Sequence, residues 1–274
     1  MRDSAAALRF LANLFRPGID RVSPSPTFFH VGRERLDVDG YRPRRPPLGT
    51  VLMVHGMNTR GHRDPRLVTA AQAFAGAGYR VFAPRFPAVA GAKITYASVE
   101  RIVGAIENAA RREEGPVGVF APSFSAAMSM LAGTHDAARG LVSALFAMGT
   151  YCDPRTVIRY LIEDESAHPY GRMIVLRNFL HRSVGPVAAI EHALDRAIVD
   201  AALHRPENPE VFDALPASDH ALITTLLNDV TARMEHLERM LASDHDRLLD
   251  RMSLPKVVDQ VRFPVTLLHG KVTT

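Results

Sequence analysis

Residues 118–131 read GVFAPSFSAAMSML. The first part, GVFAP, is apolar and β-favouring, and the later part, SAAMSML, suits a helix. Ser123 stands at the join. Physical chemistry alone allows two readings of it. A serine here can be the N-cap of the helix that follows, a role its short hydroxyl side chain fills well. It can also be a nucleophile on a tight strand-to-helix turn. Such a turn lifts the hydroxyl above the sheet and sets it where helix N–H groups face a developing negative charge. Tight packing of the turn needs small residues two before and two after the serine, and these are Ala121 and Ser125.

The flanking sequence repeats the same alternation. TVLMV at 50–54 is a short apolar run between Gly49 and Gly56, suited to a strand buried on both faces. PRLVTAAQAFAGA at 65–77 is helical in composition, with Pro65 in the first turn and Gly78 as the stop. YRVFA at 79–83 is the next strand, and Val99, Ile102, Val103 and Ile106 stripe a helix over 97–114. VGVFA at 117–121, a helix over 123–132 and LVSALFA at 141–147 follow. Upstream, FFHV and RLDV read as two short strands around Gly32, and DGYRPRRPPLG reads as turn and loop. Four alternations of strand and helix predict a mostly parallel, doubly wound α/β sheet with ligands at the carboxyl ends of its strands. HGMN, PSFS and GTYCDP stand at those ends.

The texture changes over 155–261, where amphipathic helical stretches replace strand runs, and FPVTLLHG at 263–270 resumes the sheet. The expected organisation is an N-terminal helix and linker (1–26), a core (27–154 and 262–274) and a helical cap or lid insertion (155–261). In the N-terminal stretch Leu8, Leu11, Leu14 and Phe15 fall at helical spacing. That pattern reads as a short helix packed on the domain, with a weak membrane-surface anchor as the alternative.

Composition bounds the function. The chain has 274 residues, a net charge of +4 and a single cysteine, Cys152, which excludes an internal disulfide and fits a reducing compartment. No run of 18 apolar residues exists, so no membrane span is expected, and no signal peptide is read. The expected location is cytoplasmic. RPRRPP at 42–47 is the one dense basic patch, but no aromatic residue interleaves with it, so nucleic acid is not an expected partner. No G-x-G-x-x-G or P-loop follows any strand, which weakens a nucleotide-binding reading. The oligomeric state is not legible.

VLMVHGMN (51–58), GYRVFAPRFP (78–87), VGVFAPSFSAAMSMLA (117–132) and FPVTLLHG (263–270) together resemble the α/β-hydrolase superfamily in order and spacing. The resemblance implies that Ser123 is the nucleophile. It places the oxyanion hole at the backbone N–H groups of Met57 and Phe124, with His55, Gly56, Asn58 and Pro122 bordering the substrate. It implies no cofactor and no metal. His55 belongs to the His-Gly turn and is not carried over as the base. In this family an acid commonly follows the late strand as H-G-x-x-D, with the histidine farther on. Here Thr273 takes the acid's place, and the last strand, its helix and the histidine loop have no residues to form them. The resemblance therefore implies a chain that stops short of the full fold.

Substitutes within the chain are few. Asp153 lies near an alternative acid position, or is simply a turn or cap before Pro154. His62 follows the oxyanion turn and could approach the site, and His269 reads as structural. His168, His181, His192, His204, His220, His236 and His245 scatter over the insertion. Asp244, His245 and Asp246 are adjacent on a helical stretch, so they point apart and read as a solvated face rather than a metal site. The function implied is hydrolysis of an ester or related acyl bond of an apolar small molecule. An inactive hydrolase-like binding protein and an acyltransferase on the same scaffold are the alternatives.

Overall fold

The apolar runs form the middle of a seven-stranded sheet in the computed structural model, which describes residues 2–16, 22–203, 205, 210–242 and 247–270. The strands are β1 (Ser25–Val31), β2 (Glu34–Tyr41), β3 (Thr50–Met53), β4 (Arg80–Pro84), β5 (Val117–Pro122), β6 (Val142–Met148) and β7 (Val265–Leu268). Their order is β1-β2-β4-β3-β5-β6-β7. β1 and β2 are antiparallel to their neighbours, and β4, β3, β5, β6 and β7 run parallel. The mostly parallel sheet predicted from the sequence is the one observed. All four residues of β3 are buried, as its unbroken apolar run requires.

Four long helices flank this sheet: α1 (Arg2–Phe15), α2 (Pro65–Ala77), α3 (Ala97–Arg112) and α4 (Phe124–Thr134). From β3 the chain steps one way to β4, then back across β3 to β5 and on to β6. Right-handed crossovers therefore set α2 on one face and α3 and α4 on the other. The strand order reverses between β3 and β5, and the carboxyl ends of those two strands carry the HGMN turn and Ser123.

Two expectations need correction. Asp39, Gly40 and Tyr41, read as the start of a loop, continue β2 and pair with Ala83, Phe82 and Val81 of β4. The Asp-Gly turn signal loses to pairing on both sides of the strand, and Tyr41 is fully buried there. Most of the apolar stripe of α1 also lies off its packed face, and Leu14 alone of the four is half-buried. Leu8, Leu11 and Phe15 are exposed, whereas Ala6 and Asn13 are buried and the Phe10 ring lies 4.5 Å from that of Phe74. Helix α1 packs on α2 where Gly76 leaves room: a Cβ there would stand 2.9 Å from the Asn13 side chain. That close approach selects the packed face.

The chain divides into two compact units. One takes in the residues up to Ala90, Thr95–Tyr151 and those from Lys256 on; the other takes in Gly91–Ile94 and Cys152–Pro255. The second unit is helical, with α5 (Pro154–Glu163), α6 (Pro169–Phe179), α7 (Ala188–Ala202), α8 (Ala217–Asn228) and α9 (Val230–Ala242). It has its own core, which includes Ile162, Leu176, Ile190, Leu226 and Leu237. The Arg233 guanidinium is buried within it and donates to the carbonyls of Ile162, Leu226 and Leu227. Asn178 ties the segment 91–94 to this unit, accepting from Ile94 N–H and donating to Ala92 O. Among the described residues no helix is long and apolar enough to cross a membrane.

Candidate active site

Strand β5 delivers Ser123 with φ 58° and ψ −142°. A serine at positive φ is strained by roughly 1–3 kcal/mol, since its Cβ crowds the backbone. An ordinary N-cap has extended φ and ψ and spends its hydroxyl on the helix. Ser123 has neither property: its side chain makes no capping hydrogen bond. Its own N–H is fixed by Met148 O at 2.6 Å, and its carbonyl accepts from Ala126 N–H. The side chain is left exposed at the top of the sheet.

The small residues at the turn do more than permit it. Ala121 and Ser125 are both fully buried. The Ser125 hydroxyl donates to His55 O at 2.5 Å, a bond a glycine cannot make, and so joins helix α4 to the His-Gly turn. A methyl at Gly56 would meet Pro122 O and Ser123 Cβ at 3.6 Å each, so the turn lies directly beside the serine. Asn58 shapes that turn by accepting from Arg60 N–H through Oδ1 and from Gly61 N–H through its carbonyl. The Phe124 N–H belongs to the first turn of α4, where amides have no intrahelical acceptor. The Phe124 ring packs on Tyr151, 4.7 Å between centroids.

His55 is buried, and both of its ring nitrogens are engaged. Nε2 accepts from Phe86 N–H at 2.9 Å, which leaves the proton on Nδ1 to donate to Gly56 O at 2.9 Å. Burial pushes its pKa down to about 4, and the hydrogen bond to Gly56 offsets only part of this. The ring is therefore a neutral brace of the turn. Asp64 caps α2 and is held by Arg66 through both carboxylate oxygens. Burial raises its carboxyl, but the Arg66 hydrogen bonds outweigh that and keep it below the usual range.

Ser123 opens on a cavity of about 900 Å³. Phe10, Leu14 and Phe74 wall it from the helices, and Phe120, Phe146 and Met148 wall it from the sheet. The burial of β5 alternates, with Val117, Val119 and Ala121 turned inward. That leaves Phe120 on the cavity face, stacked at 5.5 Å on Phe146. Leu14 belongs to the stripe expected to pack, but the contribution of Phe10 was not visible in the sequence, because it depends on which face of that helix docks.

His62 lines a separate cavity with Asp39 rather than the one holding Ser123. His269 is exposed, not packed, and its Nε2 bonds Thr150 O at 2.8 Å. Asp153 caps α5: Oδ1 accepts from Arg155 N–H at 2.7 Å and Oδ2 from Ser253 Oγ at 2.9 Å. His168 accepts from Tyr170 N–H, His181 faces Glu191, His220 faces Asp213, and His236 bonds Ser183 Oγ, all within the helical unit. His204, Thr273 and the Asp244–His245–Asp246 run lie outside the described residues. Among the described residues, no group of three or more His, Cys, Asp or Glu side chains is placed to hold a metal ion.

No protein-family model matches this chain, and no curated protein matches it. Solved structures are similar to it. Pyrococcus horikoshii acylaminoacyl peptidase aligns over 93% of this chain with a TM-score of 0.50 and 14% identity. This chain spans about a third of that protein's length, at 33%. Dienelactone hydrolase from Anabaena variabilis aligns over 51% of this chain and 68% of its own, with a TM-score of 0.42 and 18% identity. The esterase Est22 aligns over 57% and 59%, with a TM-score of 0.42 and 14% identity. The strand order and the first of these likenesses identify the fold as that of the α/β-hydrolases.

Proposed function

We propose that Ser123 is the nucleophile of an acyl hydrolase whose substrate carries an apolar group. The observation that carries this reading is the conformation of Ser123: a positive φ, a hydroxyl not spent on capping, and an apolar cavity at its side. Strain of this kind persists only where surrounding structure enforces it, and it concentrates at functional sites. In the proposed reaction Ser123 Oγ attacks the acyl carbon of an ester or related bond. The hydroxyl proton passes to a general base, the bond to the alcohol breaks, and the alcohol leaves protonated. Water then attacks the acyl-serine, the acid is released and Ser123 regains its proton. The N–H groups of Met57 and Phe124 receive the oxyanion, each contributing about 3 kcal/mol to the transition state. A second acceptor in place of water would make the same first step an acyl transfer.

The base is not among the described residues that line the cavity: His55, the histidine there, has both nitrogens occupied. Turnover thus requires an imidazole or equivalent base from beyond them. That same observation favours a second reading, a binding protein that holds an apolar ligand in the cavity without turnover.

A fluorophosphonate probe separates the two. It phosphonylates an activated serine with loss of fluoride, and intact-mass analysis reads one adduct. The expected result is a single adduct in the wild-type chain and none in Ser123→Ala. A folded wild-type protein that takes up no adduct removes the hydrolase reading for this chain and leaves the binding one.

A further inference from the structure

Helix α1 is docked inside out. Its inward side holds Ala6, the Phe10 ring and Asn13, and the buried Asn13 amide donates to Arg9 O of the same helix. Its outward side holds Leu8, Leu11 and Phe15, which are 69%, 46% and 77% exposed. Steps of three and four residues put these three side chains on one face. Leu14 stands at the edge of that face and lines the Ser123 cavity together with Phe10. The apolar surface of α1 therefore runs from the rim of the cavity out to solvent.

Burial of apolar area does not account for this rotation, which keeps an amide inside and a phenylalanine outside. The groove at Gly76 fixes it, and the outcome is a row of large apolar side chains along the surface. Exposed leucines scattered singly are ordinary, but a row on one helix is a patch of the kind that meets a partner.

The charge around the patch identifies the partner. Arg9 and Arg16 are exposed beside the stripe, and Asp3, in the first turn, is the one carboxylate that α1 carries. Helix α2, on which α1 packs, contains no acidic residue, and Asp64 at its N-cap is already held by Arg66. The RPRRPP loop at 42–47 brings Arg42, Arg44 and Arg45, all exposed, and ends at Leu48. Leu48 is itself exposed and stands against Gly78, at the same end of α2 as Gly76 and Asn13. Leucine and phenylalanine on one face of a helix, with arginines at its flank, suit the headgroup layer of a membrane that carries negative charge. A second copy of this chain fits less well, because pairing through the stripe brings the arginines of one α1 towards those of the other.

We propose that α1 docks this protein on an anionic lipid surface, with Leu8, Leu11 and Phe15 entering the headgroup region and Arg9 and Arg16 meeting lipid phosphates. The helix lies on the surface and does not cross it. Neither the docking nor its test depends on the chemistry of Ser123.

Flotation of the full chain with vesicles tests this. One set is made of phosphatidylcholine alone, and the other of equal parts phosphatidylcholine and phosphatidylglycerol. The expected result is binding to the anionic vesicles at least about tenfold stronger than to the neutral ones, and weaker binding as salt is raised. Leu8→Ser combined with Phe15→Ser should weaken binding at least about tenfold, since it removes the inserted area. Arg9→Gln combined with Arg16→Gln should leave the two vesicle types bound nearly alike. All four side chains are exposed, so both variants should keep the fold, as circular dichroism and urea unfolding will check. No binding to anionic vesicles, equal binding of the wild type to both kinds, or unchanged binding in the Leu8–Phe15 variant overturns the proposal. Sedimentation velocity covers the rival occupant: a wild-type dimer that the Leu8–Phe15 variant loses, without vesicle binding, assigns the stripe to a second copy and overturns the lipid surface.

Discussion

Replacing His55 by Gln tests whether the His-Gly turn rests on a neutral, buried ring. In the folded protein the His55 pKa is lowered from 6.5 to about 4, mainly by burial, while in the unfolded chain it returns to its ordinary value. The sign follows from proton counts. Between these two values the unfolded chain binds a proton that the folded ring refuses, so the unfolded state gains as pH falls. Stability contributed by the neutral ring is present above the unfolded pKa, declines below it, and stops declining once the folded ring also protonates. Each pH unit inside the window is about 1.4 kcal/mol, and going from pH 7 to pH 5 crosses most of it, so this one group should cost the wild type about 2 kcal/mol. Gln keeps an acceptor for Phe86 N–H but has no proton to gain. His55→Gln should lose about 1 kcal/mol at pH 7, where the bond to Gly56 O is disturbed, and then lose less on acidification. Asp64, His62 and Arg85 remain in both proteins, so their contributions largely cancel in the comparison. Urea unfolding of both proteins at the two pH values gives the double difference. A wild type and a variant that lose the same stability between pH 7 and pH 5 would refute the neutral-ring assignment.

Two further changes probe the site's architecture. Ser123→Gly should raise unfolding stability by about 1 kcal/mol, because glycine accepts φ 58° without Cβ strain, while it abolishes fluorophosphonate labelling. A variant less stable than the wild type in urea would mean the turn is not strained. Gly76→Val should cost about 1–3 kcal/mol and loosen α1 on α2, because the added atoms meet Asn13. Trypsin cleavage after Arg9 should then accelerate; an unchanged rate at that bond would show that the close approach is not what holds the helix.

The core of the fold was legible because TVLMV, YRVFA, VGVFA and LVSALFA are short, apolar, β-favouring runs, the first three each followed by a helical stretch. The Ser123 turn was legible for a related reason: only small residues fit at positions 121 and 125. What could not be read was set by packing across long sequence separations. Asp39-Gly40-Tyr41 carries a turn signal that pairing with β4 overrides. The packed face of α1 is chosen by the groove at Gly76 rather than by its leucines. The ring of His62 turns to Asp39, 23 residues away in sequence, and nothing in its local sequence announces that.

Ser125 occupies a position where the bare requirement is smallness, and it supplies a hydroxyl as well. Its bond to His55 O clamps two segments 70 residues apart in sequence. Phe124 is the neighbour of one end of the clamp, and Met57 lies two residues from the other. The pair of amides proposed to receive negative charge thus belongs to a single braced frame, its spacing set when the chain folds. In the proposed reaction, spacing fixed in this way would let the two amides meet an oxyanion with little rearrangement.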